Sequence, residues 1–338
     1  MNQNDIEMLN VAFNKIKDLK VLIIGDTIID EYFFTVPKGR AMKDPVMSTN
    51  YSHHERYAGG VLATANHISN FVKNIDLITL LGDKKRNEEF VSEKINNNIK
   101  PIFFTKKNSF TTIKRRFVDK LRGGKLFKIE YINDKPIEKE LESDIIDHLY
   151  KKLSDYDLVI VNDFGHGFIN NNIINVLEEK SKFICANIQT NSANLGFNYY
   201  SKYKKLDYIT MNEPELRLGT QCRFEPLDEV AKKFYKLNIC KKALITMGKE
   251  GAFYLQDNEI YHSKSFNRKL IDTVGAGDAV FAITSLLVYA NIEPKKLPFF
   301  ANCVGGIAIQ IVGNKENIDK ERLLSFIKEV NENELGNV

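Results

Sequence analysis

Four consecutive positions, Gly275-Ala276-Gly277-Asp278, place almost no side-chain bulk directly before a carboxylate, and an apolar run to Tyr289 follows. A loop of this kind entering a helix exposes several backbone N–H groups at the positive end of the helix dipole. That is an anion site, and Asp278 stands immediately behind it. A second reading is purely structural: Gly275 and Gly277 permit a tight turn and Asp278 caps the helix. Two familiar phosphate loops do not fit. The third glycine of the dinucleotide fingerprint is missing and the loop lies late in the chain, and no GxxxxGK run followed by Ser or Thr occurs anywhere. Asp163-Phe164-Gly165 imitates the metal-binding tripeptide of protein kinases, but no HRDxxxxN loop precedes it. Asp163 nonetheless ends an apolar run, and ligands of open α/β sheets bind at such strand ends.

These residues need a scaffold, and its pattern is visible. Six short runs, 20–25, 76–82, 157–162, 182–187, 207–211 and 242–247, are continuously apolar instead of alternating, as in parallel strands covered on both faces. Helical spacing fills the intervals, for example Val61, Ala65, Ile68 and Val72, or Leu141, Ile145, Ile146 and Leu149. The alternation predicts a doubly wound, mostly parallel α/β sheet flanked by helices, in one domain over 1–338. About 31–57 and 102–131 break it with runs such as YFFTV, PIFFT and LFKIEYI, predicting a small β-sheet that projects as a lid.

The net charge of +4 is small for 338 residues, and its charges are interspersed, so nucleic acid is not an expected partner. Cys185, Cys222, Cys240 and Cys303 form no CxxC pair and sit mostly in apolar runs, which reads as reduced thiols of a cytoplasmic protein. Residues 1–20 carry no signal-peptide stretch, and the run Ala279 to Ala290 is too short to span a bilayer, so no membrane partner is expected. The histidines show no metal-ligand spacing.

The stretch 272–278 resembles the signature of the PfkB-type, ribokinase-like carbohydrate kinases. GDTIID at 25–30, AGG at 58–60, NEPE at 212–215, TMGKEG at 246–251 and FFANCVGGIAIQIVG at 299–313 follow in that family's order. Within it, the start GDxxxDxY and a TxKxR segment ending in Lys114 and Arg116 are similar to the branch that phosphorylates heptose 7-phosphate. The resemblance implies a ribokinase-like fold and γ-phosphoryl transfer from ATP, with Mg²⁺, to a hydroxyl of a sugar or sugar phosphate. A monovalent cation is a further candidate cofactor. Asp278 would be the base, and the N–H groups of Gly275, Ala276 and Gly277 the hole for phosphoryl charge. Asp30 and the Gly59-Gly60 pair would hold the acceptor, with Lys114 and Arg116 on a phosphate it already carries and Asp163 nearby. Asn212 and Glu215 would face the metal mainly through water. Thr246, Gly248 and Gly251 would turn over the nucleotide phosphates, and Asn302 would line the adenine pocket.

Relatives often dimerise through their lids, and Tyr32, Phe33, Phe34, Phe103 and Phe104 suggest a homodimer here. The heptose branch is often fused to a nucleotidyltransferase, which these residues are not expected to include. The chain departs from the family at Ala63, where an asparagine is usual, at His166 for a lysine, and at Asn187-Ile188-Gln189 for DPK. These changes keep two alternatives open: a kinase for another alcohol, such as a nucleoside or different sugar, and a non-catalytic sugar- or nucleotide-binding protein.

Overall fold

The computed structural model describes residues 2–335. Thirteen strands run β1 (Lys20–Gly25), β2 (Thr27–Arg40), β3 (Met47–Gly60), β4 (Asn74–Lys84), β5 (Ile99–Phe110), β6 (Ile113–Asp119), β7 (Lys125–Tyr131), β8 (Leu158–Asp163), β9 (Ile184–Ile188), β10 (Tyr208–Asn212), β11 (Lys242–Thr246), β12 (Ala252–Gln256) and β13 (Glu259–Ser263). Nine of them form a sheet in the order β13-β12-β11-β10-β9-β8-β1-β4-β5, parallel from β11 to β5 and closed at the other edge by the antiparallel β12 and β13. All six predicted strands lie in its parallel part.

Strand periodicity explains why each run is continuously apolar. In β1, Val21 and Ile23 enter one core, while Leu22 and Ile24 enter the other. The four are fully buried, each contributing about 1.5–3 kcal/mol of apolar burial. The first core is covered by helices that include Asn2–Ile16, Val61–Ser69, Ala276–Tyr289 and Leu297–Ala308, the second by Lys139–Lys152, Asn171–Lys180, Glu213–Thr220 and Leu227–Lys236. Buried residues run without interruption from Asp278 to Val288, so the helix behind the glycine loop is a central one, buried all round and mostly apolar. No described helix is long and apolar enough to cross a membrane.

The remaining strands make a four-stranded sheet, β3-β2-β6-β7. This corrects the expected boundary of the second projecting segment. Residues 99–110 belong to β5, the parallel edge of the large sheet, so Phe103 and Phe104 lie there and not on the small sheet. An edge strand has one half-exposed side and is patterned like a hairpin strand, which is why the sequence did not separate them.

Asp272 ties the small sheet to the glycine loop. Its carboxylate accepts from the Tyr32 hydroxyl of β2 at 2.7 Å, Lys125 Nζ of β7 at 2.5 Å, and the N–H groups of Val274 and Gly313 at 3.1 and 3.0 Å. Burial alone would raise its pKa, but Lys125, Tyr32 and the Val274 N–H overcome burial and hold it below 3.8. A carboxylate with a depressed folded pKa adds stability above its unfolded value, which is lost as pH falls through the folded one. Asp272→Ala is expected to cost about 3 kcal/mol in urea unfolding at pH 7, the low end for a broken buried pair because Lys125 is partly exposed. The difference from wild type should shrink as pH drops below 4.

Candidate active site

The helix Ala276–Tyr289 begins two residues before Asp278, with Gly275 as its N-cap at φ 84°. Asp278 is therefore the third helical residue, and the hydrogen bond its side chain accepts comes from Gln189, not from an N–H of the helix end. A Cβ at Gly275 would lie 1.9 Å from Asn314 Oδ1, whereas one at Gly277 would meet nothing within 4 Å. Gly275, Gly277 and Asp278 line a cavity of about 290 Å³ at the carboxyl ends of the parallel strands. Desolvation, then the charge of Asp30, push the Asp278 carboxyl up to about 7, against the opposing pull of Lys114 and a hydrogen bond from Gln189.

The small sheet forms one wall. Asp30 of β2 and Lys114 of β6 are register partners, and Arg116 Nη1 pairs with Asp30 Oδ1. Asp30 packs against Gly59, where a Cβ would stand 2.2 Å from Asp30 Oδ2; Gly60, at φ 58°, lines the cavity and starts the helix Val61–Ser69. Lys114 is buried, with Nζ 3.9 Å from Glu130 Oε1 and 5.7 Å from the Phe164 ring centroid. Burial holds its pKa below the usual lysine range.

Asn212 and Glu215, also in the cavity lining, form a reciprocal capping box at the end of β10. Glu215 accepts from the Asn212 N–H at 2.8 Å and the Thr190 N–H at 3.0 Å. Desolvation raises it to about 7, and the groups opposing burial are N–H and amide donors, not a cationic side chain. Thr246 lies beside them in the cavity lining. Gly248, Gly251 and Asn302 do not line it. Gly251, at φ 99°, abuts Ser263, and Asn302 Nδ2 donates to the carbonyls of Ser263 and Lys264, so this turn and this helix meet around one loop.

Asp163 departs from expectation. Its carboxylate turns inward to Lys202 Nζ at 2.6 Å and the Tyr203 hydroxyl at 2.9 Å, and it is outside the cavity lining. Of the departure positions, Ala63 is buried in a helix and His166 faces a separate cavity of about 20 Å³. Gln189 is different: it lines the main cavity and its Nε2 donates to Asp278 Oδ1 at 3.2 Å. Sequence reasoning missed it as a site residue, although its place just beyond the carboxyl end of β9 is where such sheets bind ligands.

The doubly wound sheet with its cavity at the strand ends and the small second sheet as one wall give the chain a ribokinase-like fold. The model of the pfkB family carbohydrate kinases matches residues 18–321, and the chain belongs to that family of ATP-dependent sugar kinases. Ribokinase of Thermotoga maritima superposes with TM-score 0.70 at 18% identity, covering 92% of this chain and 99% of its own. Phosphofructokinase-2 of Escherichia coli gives 0.72 at 13%, covering 93% and 99%. The bifunctional protein HldE of Helicobacter pylori strain G27 is 22% identical over 306 residues, 87% of this chain. The chain spans 64% of the length of that curated relative.

Proposed function

We propose that the protein is a magnesium-dependent kinase that transfers the γ-phosphoryl group of ATP to a hydroxyl of a sugar phosphate, with a heptose 7-phosphate as the preferred acceptor. The observation that carries this reading is the shared cavity, in which Asp278 sits among Asp30, Lys114 and Arg116. Asp30 and the backbone at Gly59-Gly60 orient acceptor hydroxyls, and Lys114 and Arg116 take the phosphate that the acceptor already carries. Asp278 removes the proton of the attacking hydroxyl as its oxygen bonds to the γ-phosphorus and the bond to ADP breaks. The Gly275–Gly277 amides hold the charge developing on the phosphoryl oxygens.

When bound with the nucleotide, magnesium supplies charge neutralisation on the phosphates. Glu215 fits it: a buried carboxylate already pinned by two N–H donors has, among the described residues, no ion pair to balance it. Together with Asn212 it would hold the hydrated ion through water. Among the described residues no three His, Cys, Asp or Glu gather into a direct metal cage. Exposed Tyr51, Phe127 and Ile129 on the small sheet support a homodimer through that face, and the same sheet, which carries Asp30, Lys114 and Arg116 as one wall of the cavity, would serve as the lid. The protein is proposed to act in the cytoplasm.

ADP release is measured across a panel of free sugars, sugar phosphates and nucleosides. Turnover should be highest with a phosphorylated sugar, and a preference for unphosphorylated alcohols overturns the acceptor class. Lys114→Met should raise KM at least about tenfold for the phosphorylated acceptor while leaving that for its unphosphorylated analogue nearly unchanged.

A further inference from the structure

A chain of amides runs from the backbone of β10 to the carboxylate of Asp278. Thr210 and Asn187 are register partners on β10 and β9. Asn187 Nδ2 donates to the Thr210 carbonyl at 3.1 Å and to its Oγ1 at 3.2 Å. Gln189 Nε2 donates to Asn187 Oδ1 at 2.9 Å and to Asp278 Oδ1 at 3.2 Å. A carbonyl can only accept, so the Thr210 carbonyl fixes which end of the Asn187 amide faces it. The oxygen of Asn187 is thereby turned to Gln189, and Gln189 must answer with its NH₂ group. The donor aimed at Asp278 is thus dictated by the sheet backbone, two side chains away.

We infer that Gln189 is a positioning residue: the Thr210–Asn187–Gln189 relay holds one carboxylate oxygen of Asp278 and sets how readily that carboxylate ionises. The inference rests on the reading of Asp278 as base. Other charged groups facing Asp278 are Asp30 on β2, Lys114 and Arg116 on β6, and Glu215 on the helix Glu213–Thr220. Asp30 and Glu215 disfavour its ionised form and Lys114 favours it. Arg116 is paired with Asp30. Gln189 is the neutral member of this group, so removing it changes the hydrogen bond on Asp278 without changing the net charge of the cavity. A hydrogen bond donated to the ionised form favours that form.

The test is the pH dependence of kcat for wild type, Gln189→Leu, Gln189→Glu, Asn187→Ala and Asp278→Asn. Gln189→Leu should move the acid limb up by about one pH unit and lower the alkaline plateau about tenfold, with KM for ATP unchanged. Gln189→Glu, with a second carboxylate beside the base, should move the limb further in the same direction. Asn187→Ala should move it less than Gln189→Leu, and it decides the matter if Gln189→Leu does not fold. A purely structural role would lower folded yield or thermal midpoint without displacing the limb. Wild-type acid limbs in the folded Gln189 and Asn187 variants, with Asp278→Asn inactive, overturn the relay alone; an Asp278→Asn enzyme that keeps its turnover overturns the base itself.

Discussion

Asp278→Asn is expected to lower kcat by on the order of 10²–10⁴-fold, the contribution of a positioned general base, while ATP still binds with measurable heat. The substitution keeps the shape of the side chain and an oxygen that accepts from Gln189, so the cavity wall is preserved and the lost function is proton acceptance. Burial and the charge of Asp30 place the Asp278 pKa at about 7, close to where a base works best at neutral pH. The wild-type rate should accordingly rise with pH through about 7 and fall below it, where the carboxyl is protonated and cannot accept. The same shift has an opposite signature in stability. A folded pKa raised above the ordinary 3.8 means that ionisation favours the unfolded chain, an effect that grows between pH 4 and 7 and is constant above. The gap corresponds to at most ~4 kcal/mol. Asp278→Asn should therefore unfold at a higher temperature than wild type at pH 8, and the gain should shrink toward pH 4. A variant that is more stable and yet inactive is what a base held in a dry site predicts; full turnover would rule out this role for Asp278.

The parallel strands were legible because both faces of each are buried, which leaves an unbroken apolar run that no exposed segment imitates. Edges were not. β5 has a half-exposed side, and β12 and β13 are short strands joined at Asp257-Asn258, whose φ values of 51° and 68° mark a tight hairpin turn that the apolar pattern alone did not reveal. The glycine loop, Asp30, Lys114, Arg116 and the capping box could be named as candidates because local sequence fixes what they are, and the structure brings them to one cavity. Asp163 was placed wrongly for the opposite reason: it also ends a parallel strand, but Lys202 and Tyr203, far along the chain, turn its carboxylate inward. Gln189 was visible only as a departure from DPK. Its meaning comes from Thr210 on the neighbouring strand, a pairing that composition and spacing do not encode.

Gly277→Ala separates the two explanations of the glycine loop. Gly275 is constrained structurally, since φ 84° disfavours any side chain and a Cβ would collide with Asn314, so Gly275→Ala should lose stability and activity together. Gly277 has no such constraint. It sits in the first turn of the helix, and the place a methyl group would take there is open, with nothing lying within 4 Å. If the loop were only a turn, Gly277→Ala would be neutral or beneficial, because alanine in a helix is favoured over glycine by up to about 1 kcal/mol. Gly277 lines the cavity, however, and on the proposed function a methyl there would crowd the approach of a phosphoryl oxygen to the Gly275–Gly277 amides. Losing one such donor costs about 10²–10³ in kcat. The expected result is a thermal midpoint equal to or above that of wild type together with a loss of turnover of that order. Equal stability with undiminished turnover would mean that the amides do not hold the transferring group and that the glycine is there for the turn alone.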